Sequence, residues 1–353
     1  MKTFHCENCN QVVFFENTTC VNCGHALGFA PDVFEMREFG EGTNYRQCVN
    51  YSQQQVCNWL LSAEESGDLC RSCRLTGVIP SLETPGNHEQ WFRTESAKRR
   101  LVYTLLALRL PLVTRAEDPQ GGLEFHFKSD AGLPPEEAVL TGHDNGIITL
   151  NLAEADDAER ERRRIQLHEP YRTLLGHFRH EIGHYYWDRL IQNSEWLDGF
   201  RKLFGDETLD YAEALKAHYA AGDKLTWEQG YISAYATAHP WEDWAETWAH
   251  YLHMVDGLET AAALGVKLAP ARADEPALKA PVGDPAHVRF ARLQSDWVAL
   301  TYALNNLNRS MGLNDAYPFV LSNAALAKLE FVHQVIVAAG QPAISGNERR
   351  GLT

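Results

Sequence analysis

The sequence predicts an α+β protein, mostly helical with a small sheet, preceded by a small module held together by cysteines. Three observations predict it. All eight cysteines lie before residue 74. Apolar residues alternate in two short runs, at residues 123–127 and 146–152, and after residue 205 the apolar spacing is mainly helical.

The elements follow in chain order. Residues 1–30 carry Cys6-x2-Cys9 and Cys20-x2-Cys23-Gly24, separated by ten residues. Two such knuckles bring four thiolates to one tetrahedral zinc, and Gly24 eases the second turn. The metal substitutes for a core that about 30 residues cannot build, which makes this segment a zinc ribbon. Residues 31–85 are expected to form a second cysteine-rich segment and a linker. Cys48, Cys57, Cys70 and Cys73 suggest a second four-cysteine zinc site, although the Cys48 to Cys57 gap is wider than a knuckle. Buried, unliganded thiols are the alternative. Tyr51, Trp59 and Arg71 lie nearby as a surface for a protein partner.

Pro80 to Asn87 has the chemistry of a linker, and helical spacing from Trp91 to Leu110 opens the larger domain, residues 86–353. Leu123 to Phe127 alternates as a half-buried strand does, and Gly146 to Leu152 reads as another. Thr149 and Asn151 are expected on an edge strand that can pair with an extended peptide. The run Glu154 to Arg164 mixes both signs of charge and reads as a solvated helix or loop. Leu268 to Pro285 is Ala/Pro-rich and reads as a loop, and Val288 to Val337 is helical again.

Composition narrows the function. Lysine and arginine number 32 against 47 acidic residues, a net charge of −15 that repels nucleic acid and anionic membranes. No stretch reaches about 18 uninterrupted apolar residues, and Met1 to Cys6 lacks the apolar run of a signal peptide. A cytoplasmic location is expected, because a reducing compartment keeps the thiols available as ligands.

The chemistry concentrates at His180-Glu181-Ile182-Gly183-His184, an H-E-x-x-H pattern. Leu174, Leu175 and Phe178 precede it at helical spacing. Four residues advance a helix by about 400°, so His180 and His184 offer two imidazoles to one zinc from the same face. Zinc lowers the pKa of its water to about 7, and Glu181 beside it can act as general base while that water attacks a peptide carbonyl. A metzincin continuation is excluded, because Trp187 and Leu190 stand where its glycine and histidine belong. A later helix offers Glu242 and Glu246 at i and i+4, among Trp244, Ala245, Trp248 and Ala249. Burying two acids on such a face is costly without a cation or donors, and a zinc site with its histidines supplies both. His177, His239, His250 and His253 lie close in sequence and are read as packed or surface histidines.

The order of that motif, then Tyr235, Glu242 and Glu246, resembles the gluzincin site of anthrax lethal factor. The resemblance implies that Glu242 is the third zinc ligand and that Glu246 braces the ligand shell. It also implies that the Tyr235 phenol donates to the oxyanion of the tetrahedral intermediate. The chain is further similar, over nearly its whole length, to a bacterial family of zinc-binding metallopeptidases with an N-terminal zinc ribbon. The markers are Cys48-Val49-Asn50, Cys57-Asn58-Trp59, Cys70 to Leu75, His180 to His184, Pro240 to Glu246 and Tyr317 to Ser322. This resemblance implies a gluzincin-like zincin catalytic domain, one catalytic zinc, one or two structural zincs, and a protein or peptide substrate. A second reading is a protein-binding or regulatory protein that docks a partner through its ribbon and keeps a structural or vestigial metal site. The intact Glu181 argues against it, since a purely structural site would tolerate its loss.

Overall fold

A computed structural model of the chain describes residues 1–131, 134, 137–166, 169–221 and 226–341. The last stretch of the expected larger domain, 342–353, lies outside the described residues. The architecture is α+β, as expected.

The N-terminal module is built from three two-stranded sheets, none longer than three residues per strand. They pair β1 (Phe4–His5) with β2 (Val12–Val13), β3 (Gly28–Ala30) with β4 (Glu35–Arg37), and β5 (Tyr45–Gln47) with β6 (Leu60–Ser62). A single-turn helix α1 (Val49–Ser52) follows β5. Strands this short cannot bury a core alone. The module instead gathers Phe4, Phe15, Phe29 and Trp59 into an aromatic cluster, with Phe15 and Phe29 at 4.9 Å and Phe29 and Trp59 at 5.0 Å between ring centroids.

That cluster is completed by Tyr103, 5.5 Å from Phe15 and 5.7 Å from Phe29. Tyr103 belongs to helix α2 (Asn87–Ala107), which opens the larger domain. The two parts of the chain therefore share one continuous apolar core. They also share a sheet. Strand β7 (Thr76–Val78) precedes the linker yet pairs in parallel with β8 (Glu124–Lys128), which pairs in parallel with β10 (Ile147–Asn151). The order is β7-β8-β10-β9, with β9 (Gly142–Asp144) antiparallel to β10 at the edge. Alternation works as the sequence implies: Phe125, Phe127, Ile148 and Leu150 are buried.

Two expectations are corrected here. Thr149 is not on an edge, because the turn at Asn145 and Gly146, both with positive φ, folds β9 back along β10 and pairs Thr149 with Gly142, while Asn151, beyond the reach of β9, donates its N–H to Thr141 Oγ1 at 3.2 Å. Glu154 does not belong to a solvated run. Helix α3 (Asp157–Gln166) carries the exposed pairs Arg162–Glu159 and Arg164–Glu161, but Glu154 is buried, accepts from Thr141 Oγ1 at 2.8 Å and pairs with His177.

Helix α4 (Leu174–Tyr186) starts where the Thr173 hydroxyl accepts from Gly176 N, and continues into a π-helical turn, Trp187–Ile191. Helices α5 (Leu197–Phe204) and α6 (Tyr211–Ala221) lead to α7 (Pro240–Ala263). Helix α7 begins with His239 as its cap and proline at the first position, where a missing N–H costs nothing. Helices α8 (Phe290–Ser310) and α9 (Asn323–Ala339) close the fold against α7. Among the described residues no helix is long and apolar enough to cross a membrane.

Candidate metal centre

Helices α4 and α7 approach unusually closely at Gly183, the second x of the motif. A Cβ there would stand 3.0 Å from Ala245 Cα and 3.2 Å from Trp248 Cβ, closer than side chains ordinarily pack, so glycine lets the helices meet at this point. The indole of Trp244 donates to Gly183 O at 2.8 Å, and Tyr186 stacks on Trp248 at 4.9 Å. This packing sets the histidines of α4 against the acids of α7.

His180 Nε2, His184 Nε2 and Glu242 Oε2 form a triangle with sides of 3.0, 3.2 and 3.6 Å. Ligand atoms about 2.0–2.1 Å from a tetrahedral zinc stand about 3.3 Å from one another, so these three fit one such ion. Glu242 Oε2 is buried and accepts no hydrogen bond, although His180 Nε2 is only 3.0 Å away. An orphaned carboxylate oxygen facing two ring nitrogens is what a metal would satisfy.

The partners behind the triangle aim it. His180 Nδ1 donates to Glu246 Oε1 at 2.7 Å, which leaves Nε2 with its lone pair. Glu246 Oε2 accepts from Ser233 Oγ at 2.6 Å. Burial opposes the charge on Glu246, but the His180 contact and the Ser233 hydroxyl hold its carboxyl below the usual carboxylate range. Glu242 Oε1 accepts from Tyr211 Oη at 2.8 Å. Glu181 is buried beside His180, and no described residue donates to its carboxylate. The Tyr235 ring lies 5.9 Å from that of His180; burial, the Glu242 charge and the neighbouring Tyr211 raise its pKa, so the phenol keeps its proton.

The four other histidines hold structure together. His177 pairs with Glu154. His239 accepts from Trp241 N with Nδ1 and donates to Leu209 O with Nε2, both at 3.1 Å. His250 Nδ1 accepts from Tyr317 Oη at 2.7 Å, and His253 meets Arg179.

A cleft of about 710 Å³ opens from the triangle toward β9, lined by His143, Asp144, His184, Asp188, Tyr211 and Glu242 among others. The His143 ring stacks on His184 at 6.2 Å, and burial lowers its pKa to about 3. Sequence reasoning missed His143 and Tyr211. The turn at Asn145-Gly146 could have announced β9 and its His143. Nothing local marks Tyr211.

The cysteines gather into the two expected groups, Cys6/Cys9/Cys20/Cys23 and Cys48/Cys57/Cys70/Cys73. Sulfurs stand 3.6 Å apart for Cys6–Cys23 and Cys9–Cys20, and 3.8 Å for Cys57–Cys70. A disulfide needs about 2.05 Å, whereas thiolates about 2.3 Å from a tetrahedral zinc stand about 3.8 Å apart. Gly24 has φ +74°, as its place after the second knuckle requires. In the buried group, backbone amides aim at sulfur: Cys70 N at Cys48 Sγ, Trp59 N at Cys57 Sγ and Cys73 N at Cys70 Sγ, at 3.3–3.4 Å.

Comparison with known proteins agrees with this chemistry. A family model described as "Putative zinc-binding metallo-peptidase" matches residues 87–335, and a zinc-ribbon domain model matches residues 3–84. Proteins of Mycobacterium bovis and of two strains of Mycobacterium tuberculosis, each named only as uncharacterized, are 47% identical over 337 residues, 95% of this chain and 95% of theirs. No solved structure matches. With two four-cysteine groups and the His180, His184 and Glu242 group each gathered closely enough to hold a metal ion, and with residues 87–335 and 3–84 matched, the protein belongs to the zinc-binding metallopeptidase family and carries a zinc-ribbon domain before its family domain.

Proposed function

We propose that the protein is a zinc-dependent peptidase of the H-E-x-x-H, gluzincin type that hydrolyses peptide bonds in a protein or peptide substrate. The observation that carries this reading is the convergence of His180, His184 and Glu242 on one point, with Glu181 beside them and a cleft in front. His180, His184 and Glu242 hold the ion, and Glu246 braces His180. Bound there, zinc supplies Lewis acidity to the oxygens of water and of the scissile carbonyl.

The rest is the work of this chain's own groups. Glu181, to whose carboxylate no described residue donates, takes the proton of the attacking water and can return it to the leaving amine. Tyr235 keeps its phenolic proton and donates it as a hydrogen bond to the oxygen where negative charge develops. The outer edge of β9 offers backbone groups to an extended substrate, the role first expected of Thr149 and Asn151. The two four-cysteine sites are structural, with residues 1–30 and 31–85 as their modules and 86–353 as the catalytic domain. Reduced thiolates fit a cytoplasmic protein.

The test is Glu181→Gln in the full chain, assayed on unfolded proteins and a peptide library. Hydrolysis should fall by a factor of 10² or more, in the range general bases contribute, while all three zincs remain bound. Unchanged hydrolysis in that variant removes Glu181 from the reaction. Chelator-insensitive cleavage by wild type removes the metal.

A further inference from the structure

Glu242 could meet a metal with one oxygen or with both, and the difference matters to the proposed reaction. A carboxylate bound through both oxygens occupies a position that a catalytic site keeps open. Here the two oxygens are treated differently. Oε2 faces the histidine nitrogens and accepts no hydrogen bond, while Oε1 accepts from the Tyr211 hydroxyl at 2.8 Å. Resting on the proposed zinc site, we infer that Tyr211 is a positioning residue that holds Glu242 to a single ligating oxygen.

The way Tyr211 is held supports this role. It is the first residue of α6, a helix with no buried residues, so the core does not fix it. Its ring instead packs edge-on to His239 at 5.3 Å and against Trp241 at 6.3 Å. His239 accepts from Trp241 N at the start of α7 and donates to Leu209 O, two residues before Tyr211. One imidazole, held in one tautomer, thus ties the helix that carries Glu242 to the segment that carries Tyr211. The hydroxyl and the carboxylate oxygen it bonds keep their register because both are referred to His239. Tyr211 is 36% exposed, so this brace and its bond to Glu242, rather than burial, are what hold it.

Tyr211→Phe tests the inference, because it deletes the hydroxyl and keeps the ring packing. In the full-length protein the affinity of the histidine site for zinc, measured by competition with a chromophoric chelator, should weaken about 10–100-fold, as loss of a ligand's hydrogen-bond partner does. The thiolate sites should keep their zinc. With cobalt exchanged into the histidine site alone, the visible absorption of the variant should weaken relative to wild type, as Glu242 turns both oxygens to the ion and the coordination number rises. Unchanged affinity and an unchanged cobalt spectrum would overturn the inference. It would also be overturned if the melting temperature with that site empty fell in parallel, since Tyr211 would then be a packing residue. His180→Ala/His184→Ala, measured alongside, separates this from the parent reading: retention of the third zinc there sinks the centre itself, whereas its loss there with a wild-type Tyr211→Phe sinks only the role of Tyr211.

Discussion

His180 Nδ1 stands 2.7 Å from Glu246 Oε1, a contact that spans 66 residues and joins two helices at the ring that aims at the metal position. The carboxylate fixes which ring nitrogen carries the proton and how the ring is turned. Glu246→Ala should therefore weaken zinc binding at the histidine site about 10–100-fold without touching either thiolate site. Glu246→Gln keeps an acceptor for His180 Nδ1 and should lose less. Zinc titration of both variants checks the order, and equal losses would argue that charge rather than orientation is what Glu246 provides.

Gly183 is a packing requirement inside the motif. An added methyl group gains up to about 1 kcal/mol of helix propensity but must push against Ala245 Cα and the buried Trp248. Neither neighbour is the far end of a flexible side chain, and overpacking costs about 1–3 kcal/mol. Gly183→Ala should lower the denaturation midpoint and release zinc from the histidine site, because the helices that carry its ligands are forced apart. A variant as stable as wild type with full zinc content would show that α4 and α7 can slide.

The parts of this site legible from sequence are those whose signal is local. His180 and His184 share a face by spacing alone, and Glu242 and Glu246 stand out as acids on a helix otherwise rich in tryptophan and alanine. Cysteine spacing likewise announced both thiolate groups. Contacts between distant segments were silent. Tyr211 opens an alanine-rich helix with no buried residues and reaches Glu242 across 31 residues, so no pattern around it could announce the bond. Glu154 looked like its charged neighbours because only the fold turns it inward to Thr141 and His177. The edge strand was misplaced by one position because strand order depends on where β9 returns, and a three-residue strand has too little alternation to read.

His250 gives the fold a dependence on acid. Burial lowers its pKa from 6.5 to about 4, and its Nδ1 accepts from Tyr317, a bond only the neutral ring can make. A histidine whose folded pKa is depressed contributes stability above its unfolded pKa and loses it as pH falls through the folded one. The protein should therefore lose stability between about pH 6.5 and 4, by on the order of 3 kcal/mol from this residue. His250→Gln should be less stable at pH 7 but flatter across that window. Urea midpoints at several pH values for both proteins check the slope, and parallel curves would assign the acid sensitivity elsewhere.

The two thiolate groups differ in how they are covered, and this should set the order in which they lose zinc. Cys9 and Cys23 of the first group are half-buried, whereas all four cysteines of the second are buried. The second group also supplies Trp59 N and Cys73 N as donors to its own sulfurs, and its neighbour Trp59 belongs to the aromatic cluster shared with Tyr103. A chelator or thiol reagent can reach the first site from solvent, but reaching the second requires the module to lift from α2. Treatment of the folded protein should thus release thiolate zinc in two phases, with the Cys6 group first and the second phase tracking global unfolding. Cys9→Ser should remove only the first phase, and Cys57→Ser should lower the melting temperature of the whole chain more than Cys9→Ser does, because it disturbs the core that both halves share. Simultaneous release, or a Cys57→Ser protein that melts like wild type, would mean that the second group does not couple the ribbon to the larger domain.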